Sequence, residues 1–233
     1  MRFFIYILLF FSLPSFSQIV INEYSAANYD YATDNYGDYE DWFELYNTGP
    51  NDVDLSGYYL SDKSDNLTKW QFNNSVTINS NDRLVVFCSG RNEITGTSVH
   101  TNYKLHQTKG NEWVVLTNPD GVTVEDSVFI RPCLTNHSRG RLLDGDPNWG
   151  VFTTPSLGNA NIGSITSYSS TPQFSSQAGV YPNPIDITIT ASLGAQIYYT
   201  TDGSKPVNSA NLYTWPFNIS SKREEYKFFQ LDV

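Results

Sequence analysis

From Ile19 onward the chain is written as short runs of β-branched and aromatic residues, broken by turn residues and never spaced like a helix face. Ile19-Val20-Ile21-Asn22-Glu23-Tyr24 alternates, with Ile19 and Ile21 on one face. Trp42-Phe43-Glu44-Leu45-Tyr46 sets Phe43 and Leu45 opposite Trp42, Glu44 and Tyr46. Tyr58-Tyr59-Leu60, Lys69-Trp70-Gln71-Phe72 and Leu84-Val85-Val86-Phe87 follow. Trp113 to Leu116 and Val122 to Val124 then flank Asn118-Pro119-Asp120-Gly121, the clearest hairpin turn: Pro presets φ early and Gly tolerates positive φ late. With 16 Tyr and 14 Phe against a single Met, the residue supply also favours pleated, half-buried strands. The class expected is all-β, and strands at this spacing without helices read as a sandwich.

The same strand grammar divides the chain. Arg2 followed by an apolar run from Phe3 to Leu13, then Ser15-Phe16-Ser17, reads as residues 1–17 of an export signal cut between Ser17 and Gln18. As a helix the run rises roughly 16 Å, too short to cross a bilayer. No later stretch reaches the length of a membrane span, so the expected location is secreted, extracellular or at the cell surface. Strand signals fill residues 18–158. Residues 159–173 are dominated by Ser, Thr, Asn and Gly and read as a linker. Strands resume at Ile185 to Ile189 and Gln196 to Thr200, turn at Asp202-Gly203, and return through Leu212-Tyr213. Residues 174–220 thus form a second, smaller β module, marginal alone at that size.

Charge removes one class of partner. The chain carries a net charge of −10, and a mature form without Arg2 keeps 13 basic against 24 acidic residues. Such a balance repels phosphate backbones, and Arg131, Arg139 and Arg141 are too few to offset it, so no nucleic-acid partner is expected.

Several separated motifs resemble one family. Ile19 to Glu23, Asp41-Trp42-Phe43-Glu44-Leu45-Tyr46-Asn47, and Val53-Asp54-Leu55-Ser56-Gly57-Tyr58-Tyr59-Leu60-Ser61-Asp62 look like the lamin tail domain, an Ig-like sandwich also widespread in secreted bacterial proteins. Thr154-Pro155-Ser156-Leu157-Gly158-Asn159-Ala160-Asn161 is similar to the closing segment of bacterial members. In the second module, Tyr198-Tyr199-Thr200-Thr201-Asp202-Gly203-Ser204-Lys205-Pro206 and Tyr213 to Phe217 resemble the chitobiase/β-hexosaminidase C-terminal type, an Ig-like appendage. This order of modules resembles the N-terminal part of secreted CotH-kinase-like proteins. Lys222-Arg223-Glu224-Glu225 breaks that pattern, so residues 221–233 are expected to be an atypical, truncated tail that leaves the second module short of its last strand and loosely folded.

Candidate sites concentrate between residues 23 and 44. Glu23, Asp38, Asp41 and Glu44, with Asp30, Asp34 and Glu40 nearby and no Lys or Arg from Gln18 until Lys63, are candidate Ca2+ ligands, since that cation takes six to eight oxygens. The spacing does not match an EF-hand, and a solvated acidic loop is the alternative. No other cofactor is indicated. Tyr36, Tyr39 and Trp42, beside Tyr29 and Tyr31, are candidate glycan contacts, or else rings packed over the sheet. Cys88 and Cys133, the only cysteines, can form a disulfide in an oxidising compartment or sit as two small buried hydrophobes.

Catalytic groups are not expected. Glu23, Asp41 and Glu44 could be cast as a glycosidase pair, but that chemistry needs a deep cleft that a small sandwich seldom builds. His100, His106 and His137 show no metal-ligand spacing, no serine sits in a nucleophile elbow, and Gly90 and Gly110 form no phosphate loop. The sequons at Asn66, Asn73, Asn136 and Asn218 read as chance in a bacterial architecture. The function expected is a secreted, non-catalytic interaction, adhesion or spacer module whose partner is an extracellular protein or glycan. The alternatives are an accessory part of a CotH-kinase-like enzyme or a calcium- or carbohydrate-binding module.

Overall fold

A computed structural model describes residues 17–168 continuously, then 171–177, 179, 181–191, 195–200, 204 and 210–219, with the backbone of a last strand at 227–231. Residues 1–16, the turn at Asp202-Gly203 and the Lys222 to Glu225 run lie outside the described residues. There is no helix among those described, and so none long and apolar enough to cross a membrane. The chain forms two compact units, residues 1–166 and 167–233.

Among the described residues the first unit has thirteen strands: β1 (Ile19–Ser25), β2 (Trp42–Asn47), β3 (Val53–Asp54), β4 (Tyr59–Ser61), β5 (Trp70–Gln71), β6 (Thr77–Ile78), β7 (Arg83–Phe87), β8 (Glu93–Thr95), β9 (Ser98–His100), β10 (Trp113–Thr117), β11 (Val124–Phe129), β12 (Ser138–Arg141) and β13 (Trp149–Phe152). They make a seven-stranded sheet in the order β13-β12-β1-β2-β7-β9-β8 and a four-stranded sheet in the order β11-β10-β4-β5, with β3 and β6 paired separately. Both sheets feed one core. Ile19, Ile21, Tyr24, Phe43, Leu45, Leu84, Val86 and Val99 from the larger sheet join Leu60, Trp70, Val114 and Leu116 from the smaller. Burial of this many large apolar side chains is the main stabilising contribution. The hairpin between β10 and β11 closes as its turn residues require, with Gly121 at φ +72°.

One irregularity sets the rest of the first unit. Between β1 and β2 the register steps from Ile21 opposite Leu45 to Glu23 opposite Glu44, leaving Asn22 as the extra residue of a β-bulge. Inward residues therefore run Ile19, Ile21, Tyr24, while Asn22 and Glu23 both turn to the other face. That face is also covered. Glu44 is fully buried there beneath the chain that follows β13, and Trp42 is fully buried as well. Gly140 of β12 lies so close that a β-carbon would stand 2.9 Å from the Phe152 ring and 3.0 Å from the Asn22 carbonyl.

Two boundary expectations change. Ile165 pairs with Val151 through two backbone hydrogen bonds of 2.7 and 2.8 Å, and Asn161 is buried, so residues 159–166 are not linker but the end of the first unit. In the second unit the strands are β14 (Gln173–Phe174), β15 (Ile185–Ile187), β16 (Ile189–Thr190), β17 (Gln196–Thr200), β18 (Asn211–Leu212), β19 (Phe217–Ile219) and β20 (Lys227–Leu231). They pair as β14-β16, β15-β19 and β18-β17-β20 around Ile187, Ile189 and Ile197. The expected loss of the last strand is overturned. β20 pairs with β17 over five residues, from Thr200 opposite Lys227 to Gln196 opposite Leu231.

Candidate functional site

The acidic stretch from Glu23 to Glu44 folds into two separate electrostatic groups. The first lies on the outward face of β1 and β2. Glu23 and Glu44, cross-strand neighbours, are both fully buried, in mid-sheet and not at an edge. Residues 154–161 cross over them as a strap. Gly158 N–H donates to Glu44 Oε2 at 2.7 Å, and Ser156 N–H to Glu23 Oε1 at 3.1 Å. The Ser156 and Ser138 hydroxyls also reach Glu23. Asn22 donates to Glu44 Oε1 at 2.9 Å and to Asp144 Oδ1 at 3.0 Å. Asn161 seals the arrangement, donating to the Asn22 and Arg141 carbonyls at 3.2 and 2.7 Å.

Three carboxylates meet one nearby guanidinium here. Arg83 pairs with Asp144 and stands 3.6 Å from Glu44 Oε1. Burial raises the Glu44 pKa to about 7, with repulsion from Glu23 adding to it and the Asn22, Gly158 and Arg83 contacts opposing it. Burial likewise raises Glu23, against the pull of Ser138 and Ser156, with Asp144 repulsion in the same upward direction. The pair fastens the strap to the sheet and leaves few oxygens facing outward.

The second group is the loop between β1 and β2. Asn28 closes its neck: its side-chain amide donates to the Ala32 and Glu40 carbonyls at 2.7 and 2.8 Å and accepts from Ala32 N–H at 3.1 Å. At the tip, Asp34 Oδ1 accepts from Tyr36 and Asp38 N–H, and Gly37 takes φ +84°. Arg91 brings the missing positive charge, meeting Asp34 at 2.9 Å and also Asp38, while Lys104 meets Glu40 at 2.9 Å. Asn136 caps the loop start by accepting from Tyr29 and Asp30 N–H. Its sequon is therefore occupied by structure, with Ser138 buried.

Beside this loop, His100 is buried between Ser89, 2.9 Å from Nδ1, and Asn35 Oδ1, 2.7 Å from Nε2. The arrangement has the donor order of a nucleophile, base and orienting group. Phe87 stacks on the ring at 5.6 Å and Tyr36 abuts it at 5.7 Å, while Ser89 also accepts from Arg91 N–H. Burial lowers the His100 pKa, and the neutral ring braces the loop against β9.

These placements correct three expectations. Glu23 and Glu44 sit under the strap, Asp38 is paired with Arg91, and Asp41 accepts from Asn28 N–H with its pKa raised by burial to about 6. The four candidate Ca2+ ligands do not converge, and no group of three or more His, Cys, Asp or Glu among the described residues could hold a metal ion. Trp42 is fully buried and offers no glycan contact, whereas Tyr36 and Tyr39 are 52% and 50% exposed. Cys88 and Cys133 are free thiols, both buried. Cys88 is packed in the core and Cys133 contacts Gln107 and the His137 carbonyl, so each thiol has its own surroundings.

Residues 13–130, just over half of the chain, match the lamin tail domain family. The chain belongs to the lamin tail domain family. The matched stretch of this lamin tail domain includes Glu23, Glu44 and the loop between β1 and β2, while Asp144 and the strap follow it in sequence. Residues 170–232 match the chitobiase/beta-hexosaminidase C-terminal domain. That match takes in β20, which agrees with a complete β17–β20 pairing. No curated protein matches the chain. The residues that sequence reading missed are Asn22, Asn28, Arg83, Arg91 and Asn161. Asn28 stood beside a Tyr- and Asp-rich loop that needs closing, and Asn22 and Asn161 stood in the motifs that resemble the family without a role being read for them, but Arg83 and Arg91 carry no local signal.

Proposed function

We propose that this chain is exported and works outside the cell as a non-catalytic interaction module, with the tyrosine loop of the lamin tail domain as its contact face for carbohydrate. The observation that carries this reading is the exposure of Tyr29, Tyr31, Tyr36 and Tyr39, at 76%, 41%, 52% and 50%, on a loop braced at its neck and tip. Between Ala27 and Asp41 the loop has no aliphatic side chain larger than Ala. Aromatic faces with hydroxyls and no aliphatic neighbours suit stacking on sugar rings better than an apolar protein interface. Bracing also lowers the ordering cost of binding.

The test is retention of the full chain on a panel of insoluble and immobilised polysaccharides. The Tyr29→Ala/Tyr39→Ala double variant should lose at least tenfold in affinity while unfolding at the same temperature. Retention that the double variant leaves intact, or that no polysaccharide gives, refutes the assignment of this face. The match of residues 170–232 to a domain named for sugar-cleaving enzymes supports a second setting. There, the two modules would serve as the accessory region of a larger secreted enzyme, CotH-kinase-like or other, with the same loop targeting it.

A further inference from the structure

The residues that lead into β1 are held on two sides. Gln18 N–H donates to Glu125 Oε1 at 3.1 Å, and the Ser17 hydroxyl reaches the same oxygen at 3.0 Å. The Gln18 side chain is fixed separately. Its Nε2 donates to the Asn51 carbonyl at 2.8 Å and lies 3.3 Å from Asn47 Oδ1, while the Gln18 backbone carbonyl accepts from Thr48 N–H at 2.9 Å. It runs over Gly49 so closely that a β-carbon there would stand 2.6 Å from Gln18 Cγ, Cδ and Nε2. Gly49 N–H in turn donates to Asn47 Oδ1 at 2.9 Å. Backbone amine and side-chain amide are thus held by different partners on different elements.

An N-terminal glutamine has a characteristic fate. Its neutral α-amine attacks its own Cδ, the Cδ–Nε2 bond breaks, and ammonia leaves, giving a cyclic lactam without charge. We infer that Glu125 and the Asn47–Gly49–Asn51 slot form a receptor for the α-ammonium of Gln18, keeping the mature chain end open and charged. The inference rests on the proposed export. Hydrolysis of the Ser17–Gln18 bond adds water across the peptide, Ser17 departing as a carboxylate and Gln18 N becoming an ammonium. Glu125 favours that charged form, which has no lone pair to attack with, and the slot anchors the side-chain amide through its Nε2. The facing groups are few: Glu125 from β11, the neutral Thr48 and Asn51, and Asp126, which accepts from Ile21 N–H at 2.7 Å and pairs with Arg141 at 2.9 Å.

Intact-mass measurement and N-terminal peptide sequencing of the protein secreted from the full reading frame test both layers. The expected product begins at Gln18 with its amide retained over days at neutral pH. Since one pKa unit on the amine changes its neutral fraction tenfold, Glu125→Gln should speed loss of ammonia roughly tenfold. Asn47→Ala, which loosens the slot and leaves Glu125 in place, should speed it less. A product that begins at Gln18 but cyclises as fast as a free peptide of the same sequence overturns the receptor and leaves export standing. A chain cut elsewhere, or retained uncut in the cell, overturns the export reading. The receptor can then still be judged on protein prepared to start at Gln18, where equal cyclisation of parent and Glu125→Gln refutes it.

Discussion

Within the 22 residues from Glu23 to Glu44, two groups of carboxylates reach opposite electrostatic solutions. Asp34, Asp38 and Glu40 range from buried to exposed, and each is met by a cation, Arg91 for the two aspartates and Lys104 for Glu40. Glu23 and Glu44 are buried beneath the strap with Asp144 and one guanidinium, Arg83, for three acids. Where cations are lacking and water is excluded, the carboxyl is held by hydrogen bonds and an elevated pKa. The first solution keeps a loop in shape, and the second joins the end of the unit to its first two strands.

The contrast predicts unequal consequences. Glu44→Ala takes that acceptor from the Asn22 amide and Gly158 N–H and removes the charge 3.6 Å from Arg83 Nε, and should cost about 3 kcal/mol in urea unfolding of the first unit. A loss under about 1 kcal/mol would mean that the strap is fastened elsewhere. Next is pH. The Glu44 carboxyl titrates near 7 when folded but near its ordinary 4.5 when unfolded. Its contribution is therefore complete below about pH 4.5 and is lost as pH rises toward 7, on the order of 2–3 kcal/mol. Asp41, raised to about 6, adds in the same direction. Thermal unfolding between pH 5 and 8 should show the decline, and Glu44→Gln, which keeps the shape but cannot titrate, should flatten it.

Smaller effects belong to the loop. Asn28→Ala removes three neck hydrogen bonds and should cost about 1–2 kcal/mol, with amide exchange accelerating in residues 29–40 more than in β2. Lys104→Ala breaks an exposed ion pair and should cost well under 1 kcal/mol, a difference that vanishes in high salt. If Lys104→Ala proved as harmful as Glu44→Ala, the division between a cation-paired and a cation-poor group would fail.

Much of the fold was legible because a strand's hydrophobic face repeats every second residue. The runs at Trp42, Leu84 and Trp113 appear as β2, β7 and β10 within a residue of their sequence bounds, and the Pro119-Asp120-Gly121 turn joins β10 to β11. The same rule fails at one position. Strict alternation from Ile19 and Ile21 would send Glu23 into the core, whereas the bulge at Asn22 puts Tyr24 there instead. The charged Lys222 to Glu225 run, read as the end of the pattern, is followed by β20. Of the candidate site, only the acidic and aromatic make-up of residues 23–44 was visible in the sequence. Its cations were invisible because Arg91 and Lys104 lie more than fifty residues from Asp34 and Asp38.

Local chemistry thus determined the class of fold, the turns, and which stretch of the chain would be rich in acid and tyrosine, because periodicity and residue type act over a few neighbours. Only tertiary structure decided that Trp42 is core while Tyr29 and Tyr39 face water, that two acids lie under a strap, and that both thiols stay free. Those outcomes depend on which distant segment covers a face, and on the cost of burying charge once it is covered. A single strand read alone contains neither.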